Sequence, residues 1–124
     1  MNGDKTIRNN YEFRRAYNRG NSFVSGVVVL YVLKNRKKVS RIGITASKKV
    51  GNAVKRNRAR RVIREAVFSL QPSIKPGFDL VFVARGKTPY VKSTDVEKNL
   101  RRLLKQAKIM LQAEQKAEST GKLV

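Results

Sequence analysis

The stretch Thr45–Arg64 carries eight Lys or Arg residues and no acid. Val54, Ala59, Val62 and Ile63 stand among these cations, and the apolar spacing continues through Ala66, Val67 and Leu70. At about 100° per residue, a helix starting near Val54 centres its apolar arc between Val62 and Ile63. Asn57, Arg58, Arg60, Arg61 and Arg64 then cover most of the remaining surface. Such a helix has one side for a core and one side for a polyanion, and nucleic acid is the polyanion expected. Arginine suits the task because its planar fork binds phosphate in bidentate fashion and stacks on bases. Ordinary solvated faces mix signs, whereas here no acid precedes Glu65. Lys48, Lys49 and the Gly51-Asn52 turn sit just before the helix, and Lys55 in its first turn. Free N–H groups at a helix start favour phosphate, although Gly51 serves equally well as a plain turn residue.

A second constellation is aromatic. Phe13 and Tyr17 are four apart and share one side of a helix, Tyr31 lies on a strand, and Arg14, Arg15 and Arg19 flank the pair. Aromatic rings beside arginine are the materials of a single-strand stacking surface. Docking of the helix onto a sheet explains Phe13 and Tyr17 equally well. Phe68 falls on the polar side of the basic helix, where cover by a neighbouring loop is favoured over stacking on a ligand.

The chain supplies little for catalysis by side chains. There is no His and no Cys, and the eight acids are Asp4, Glu12, Glu65, Asp79, Asp95, Glu97, Glu114 and Glu118. Only Asp95 and Glu97 lie close together in sequence, so no metal-binding set is expected. An autonomous nuclease is therefore disfavoured. The net charge of +21 repels itself in a compact state and calls for a standing anionic partner. Absence of Cys suits a reducing cytoplasm, the longest apolar run (Val27–Leu33) is too short to span a membrane, and no secretory signal is visible at the N-terminus.

The elements that must position these groups follow from periodicity. Residues 4–19 read as a helix stopped at Gly20, and 22–34 as a strand apolar on both faces that is covered on both or lines a cleft. Residues 41–47 read as a second strand that pairs with the first as an antiparallel hairpin across the 35–38 turn. Asn52 caps a helix over 53–70. Residues 78–85 form a strand with Phe78, Leu80, Phe82 and Ala84 on one face. Ser93 or Thr94 caps a last helix, with Glu97 closing a capping box. This order of helix, two strands, helix, strand and helix argues for an α+β sandwich with helices on a small sheet. One domain spans 1–118, the apolar pattern fades from Ala113, and 119–124 are expected to be a flexible tail.

The segment Ala46–Arg64, with Arg56-Asn57-Arg58 at its centre, closely resembles the signature of the bacterial ribonuclease P protein subunit. The Phe13…Tyr17 helix, the strand ending at Tyr31, the Gly43–Ser47 strand and the Asp79–Arg85 strand also match, so the resemblance runs through residues 7–112 in order. It implies a two-layer α/β sandwich like ribosomal S5 domain 2, with a small mixed sheet, three helices and a left-handed βαβ crossover. It also implies a non-catalytic cofactor of an RNA enzyme, the RNA performing with Mg²⁺ the hydrolysis that frees the mature tRNA 5′ end. Carried onto this chain, Lys48, Lys49, Lys55, Arg56, Asn57, Arg58, Arg60, Arg61 and Arg64 would meet the RNase P RNA. Phe13, Arg14, Tyr17 and Tyr31 would line a cleft for the 5′ leader of precursor tRNA. The chain has Tyr17 where family members often carry Phe. No metal site on the protein, no membrane and no obligate protein partner are implied. A structural RNA-binding protein of ribosomal type, or an RNA chaperone, is the competing reading.

Overall fold

A computed structural model describes residues 5–111. Helix α1 spans Asn10–Arg19, strand β1 Asn21–Val24, β2 Val28–Lys34, β3 Arg41–Thr45, helix α2 Ala53–Leu70, β4 Phe78–Ala84 and α3 Ser93–Gln106. The strands form one sheet in the order β1-β2-β4-β3. β2 is antiparallel to both β1 and β4, while β3 runs parallel to β4 with α2 as the crossover between them. The sheet is thus mixed, and three α-helices accompany it.

Alternation along β4 explains its central place. Leu80, Phe82 and Ala84 point to one face and join Val28, Leu30 and Val32 of β2 and Ile42 of β3. This face is covered by Ala59, Ile63, Ala66, Val67 and Leu70 of α2 and by Val96, Leu100, Leu103 and Leu104 of α3. Val81 points to the opposite face, where it packs with Ile7 and with Ala16 of α1, bordered by Phe13, Tyr31 and Val83. A strand apolar on both faces must lie inside a sheet covered on both.

Four sequence expectations are corrected. The segment 22–34 is two strands, because Ser25 makes a tight turn: its hydroxyl donates to the Val28 carbonyl at 3.1 Å and accepts from the N–H groups of Val27 (3.2 Å) and Val28 (3.1 Å). The hairpin is accordingly β1–β2, not β2–β3. The turn after β2 instead steps over the start of β4, with the Asn35 N–H bonded to the Gly77 carbonyl at 2.8 Å. Six residues readily cross one intervening strand, since neighbouring strands lie only about 5 Å apart.

The first helix starts at Asn10, not residue 4. Before it, Thr6 bridges to Ile42 beside β3, and the Ile7 N–H bonds to the Ile42 carbonyl at 2.9 Å. Finally, Lys92 occupies the N-cap of α3 without a side-chain cap, and Ser93 and Thr94 are already helical. Glu97 pairs with Arg101 at 3.1 Å instead of closing a capping box. The expected tail at 119–124, the fading from Ala113 and the domain limit at 118 lie outside the described residues.

Candidate nucleic-acid interface

Helix α2 forms over the expected range because its ends are specified locally. The Asn52 side-chain oxygen accepts from the Lys55 N–H at 3.0 Å, satisfying one free donor of the first turn. Gly51 just before it has φ +141°, a region L side chains avoid, and a Cβ there would lie 2.7 Å from the Lys55 side chain. The turn thus fixes where the basic surface begins. Ala59, Ile63, Ala66, Val67 and Leu70 are buried as the spacing predicts.

The opposite side presents cations. Lys48 and Lys49, on the short 3₁₀ turn Lys48–Val50, are exposed, as are Lys55, Asn57, Arg58, Arg61 and Arg64. Arg56 and Arg60 are half-buried at the edge of the core contact. Two of these groups carry structural duties: Arg56 donates to the Gly51 carbonyl at 3.1 Å, and Arg60 donates to the Asn57 side-chain oxygen. Among the described residues, none of the Lys or Arg side chains of 48–64 is held in an ion pair. A surface of unneutralised cations on a rigid helix favours a polyanion and loses no internal ion pair on binding it.

The aromatic residues gather on the other face of the sheet. The ring centroids of Phe13 and Tyr17 are 6.5 Å apart, and Tyr17 and Tyr31 meet edge-to-face at 4.9 Å. Phe13 lies over Gly43 of β3, where a Cβ would come within 2.8 Å of its ring, so the ring seat requires glycine. The Tyr17 phenol pKa is pushed up by burial and then by Tyr31, against the opposing effect of the Thr45 side chain. Tyr17 is nevertheless 38% exposed, so the cluster is an open surface and not a sealed core.

The expected cleft set is only partly one unit. Phe13, Tyr17 and Tyr31 are brought together, whereas Arg14 stands exposed on α1 beside them without a ring contact. Arg15, expected to flank the rings, pairs with Asp79 at 3.7 Å. β3 links the two surfaces: Thr45 ends the strand at Tyr17, and Lys48 follows three residues later at the start of the basic turn.

The chain matches the ribonuclease P family model over residues 1–108. The ribonuclease P protein component of Clostridioides difficile is 40% identical over 112 residues, covering 90% of this chain and 98% of that protein. The chain belongs to the ribonuclease P protein component family. The protein component of Clostridium botulinum (strain Loch Maree) is 44% identical over 107 residues, covering 86% of this chain and 96% of the relative. Among solved structures, the Staphylococcus aureus RNase P protein superimposes with a TM-score of 0.75 at 33% identity, covering 86% of this chain and 97% of that one. The protein from Thermotoga maritima gives 0.73 at 30% identity, with 82% and 96% covered. The family assigns the chain to ribonuclease P as its protein component, in tRNA processing.

Against that family background, two groups stand out that sequence reading missed or misplaced. Phe68 is 73% exposed, so no loop covers it, contrary to expectation. At eleven residues past Asn57, seven past Arg61 and four past Arg64, it continues the same helical strip. Arg41, Glu12 and Asp79 form a buried ion cluster beneath α1 that no local spacing signals, since its members are far apart in sequence.

Among the described residues no group of three or more acidic, His or Cys side chains could hold a metal ion. Glu12, Asp79 and Glu97 are each engaged by arginine. The carboxylates among the described residues do not converge into a Mg²⁺ site. No helix among the described residues is long and apolar enough to cross a membrane.

Proposed function

We propose that this chain binds the RNase P RNA through the basic face of α2 and the preceding turn, and receives the single-stranded 5′ leader of precursor tRNA on the aromatic surface. The unpaired cations of Lys48–Arg64, mounted on a helix whose other side is core, carry the reading. In it, Lys48, Lys49, Lys55, Arg58, Arg61 and Arg64 meet phosphates directly. Arg56 and Arg60 serve both RNA and helix geometry, and Asn57 offers a hydrogen bond to backbone or 2′-hydroxyl. Phe13, Tyr17 and Tyr31 offer π surfaces to leader bases, with Arg14 at the rim. Stacking on open rings is tolerant of sequence, which suits a substrate whose leaders differ.

Hydrolysis belongs to the RNA in this reading, with Mg²⁺ held by RNA oxygens. The protein contributes position and charge: its cations offset phosphate repulsion as RNA and leader come together. The active particle is a cytoplasmic ribonucleoprotein that needs no second protein. An independent nuclease would have to work without an imidazole or a convergent carboxylate set among the described residues.

The test is cleavage of precursor tRNA at low Mg²⁺ with bacterial RNase P RNA alone, protein alone, and both. Cleavage at the mature 5′ end only in the mixture is the expected result. Activity of protein alone would place the chemistry on the protein, and no effect on a competent RNA would favour a structural or chaperone RNA binder. A Phe13→Ala variant reads the cleft separately. It is expected to weaken holoenzyme binding of precursor tRNA about 10-fold when the leader is long and hardly at all when the leader is absent, a loss within the range of one stacked base. Equal losses on both substrates would remove the leader from this surface.

A further inference from the structure

We propose that Tyr90 is a stacking station for an unpaired RNA nucleobase at the edge of the basic interface. The proposal rests on the RNA-binding reading above and extends it to a loop that neither the signature nor the aromatic cleft includes. Tyr90 closes the short 3₁₀ turn Thr88–Tyr90 between β4 and α3. It is 66% exposed, yet its ring does not hang on a loose loop. Thr88 is fully buried, its hydroxyl donating to the Val27 carbonyl at 2.6 Å and accepting from the Arg85 N–H at 2.8 Å. Pro89 is buried beside it, and the Arg85 guanidinium donates to the Ser25 carbonyl at 3.1 Å. The turn is therefore anchored to the β1–β2 hairpin while its aromatic side chain projects outward, which lowers the ordering cost of stacking.

The surroundings select the ligand. The Lys55 ammonium sits 5.6 Å from the Tyr90 ring centroid, joining the ring to the first turn of the basic helix. No acid occurs from residue 80 to 94, while Arg85, Lys87 and Lys92 are exposed on the same loop. An exposed ring held by a buried anchor, facing the Lys55 ammonium on a loop whose exposed charges are all cations, suits a base whose phosphates meet those cations. A membrane surface or a protein partner is less suited, because the ring meets the Lys55 ammonium and the exposed charges of its loop are all cations. The base could come from RNase P RNA or from precursor tRNA, and the two are separable by experiment.

Affinity for RNase P RNA alone, and holoenzyme affinity for precursor tRNA, should be measured for the intact protein and for Tyr90→Phe, Tyr90→Leu and Tyr90→Ala, each across a salt series. Leu keeps apolar bulk without a π-face, and Phe keeps the ring. The expected result is a loss of about 10-fold for Ala and Leu, with Phe close to the intact protein. The salt slope should be unchanged, because no phosphate contact is removed. Loss on RNase P RNA alone assigns the base to that RNA, and loss only on precursor tRNA assigns it to the substrate; either supports the station. Thermal midpoints should match, given the exposure of the side chain. The proposal is overturned if Ala and Leu bind both RNAs as the intact protein does, or if their losses track a fall in thermal midpoint. If the intact protein itself fails to bind RNase P RNA, the reading of the basic helix fails rather than this extension of it.

Discussion

Replacing Arg58, Arg61 and Arg64 together by alanine is expected to weaken binding of RNase P RNA by about 100- to 1,000-fold near 0.1 M salt. Each cation that neutralises a phosphate contributes about 0.7–0.9 to the slope of log affinity against log salt, so three should lower that slope by about 2–3. The three side chains are exposed and make no ion pair among the described residues, so the fold loses nothing with them. Removing three like charges from a chain of net charge +21 also relieves self-repulsion, and the thermal midpoint should hold or rise. Arg56 is kept out of the set because its bond to the Gly51 carbonyl helps shape the turn, and its loss would mix binding with structure. RNA titrations at several salt concentrations check the prediction. An unchanged salt slope would remove these arginines from the phosphate interface.

Why this surface was legible in the sequence, and others were not, follows from the range of the interactions. The basic helix is specified within some twenty residues: its cap (Asn52), its buried side and its cations are all set locally, although Val54, grouped with the apolar residues, is exposed, and Arg56 and Arg60 are half-buried. Strand pairing is not local. β2 and β3 follow one another and look like a hairpin, but β4 enters between them because its two apolar faces need cover on both sides. The Ser25 turn was hidden within a run of β-branched residues, although Ser25-Gly26 is itself a turn signal. Phe13 and Tyr17 were recognised as a pair from their spacing. Their seat over Gly43 and the effect of Thr45 on Tyr17 depend on where β3 passes, which no spacing reveals.

The same long-range character makes the ion cluster under α1 the place where one substitution should cost the fold most. Arg41 bonds to the carboxylate of Glu12 on α1 and lies 3.9 Å from Asp79 of β4, and all three are less than 9% exposed. Asp79 also accepts from the Asn35 side chain at 2.8 Å, so the cluster ties α1, β3, β4 and the 35–40 turn together. Arg41→Met leaves Glu12 buried without its principal partner. Breaking a buried pair from one side costs about 3–5 kcal/mol, which denaturant unfolding will measure. Glu12→Gln added to Arg41→Met should restore part of that loss, because it removes the stranded charge.

The pH dependence gives the sign independently. Burial pushes the Glu12 pKa up, but the Arg41 hydrogen bond and the charges of Arg41 and Arg15 outweigh it, and the net shift is downward. A lowered carboxyl pKa contributes stability that is complete above the unfolded value, about 4.3, and is lost as pH falls through the folded value. Without Arg41, only Asn9 and the Arg15 charge oppose the effect of burial, so the Glu12 pKa rises relative to the intact protein and the penalty of Arg41→Met should shrink between pH 7 and pH 4. A penalty that stays constant over this range would mean that the lost packing of the Arg41 side chain, and not the stranded carboxylate, dominates. Because α1 carries Phe13 and Tyr17 while α2 packs on the opposite face, the variant should lose leader-dependent affinity before it loses affinity for RNase P RNA.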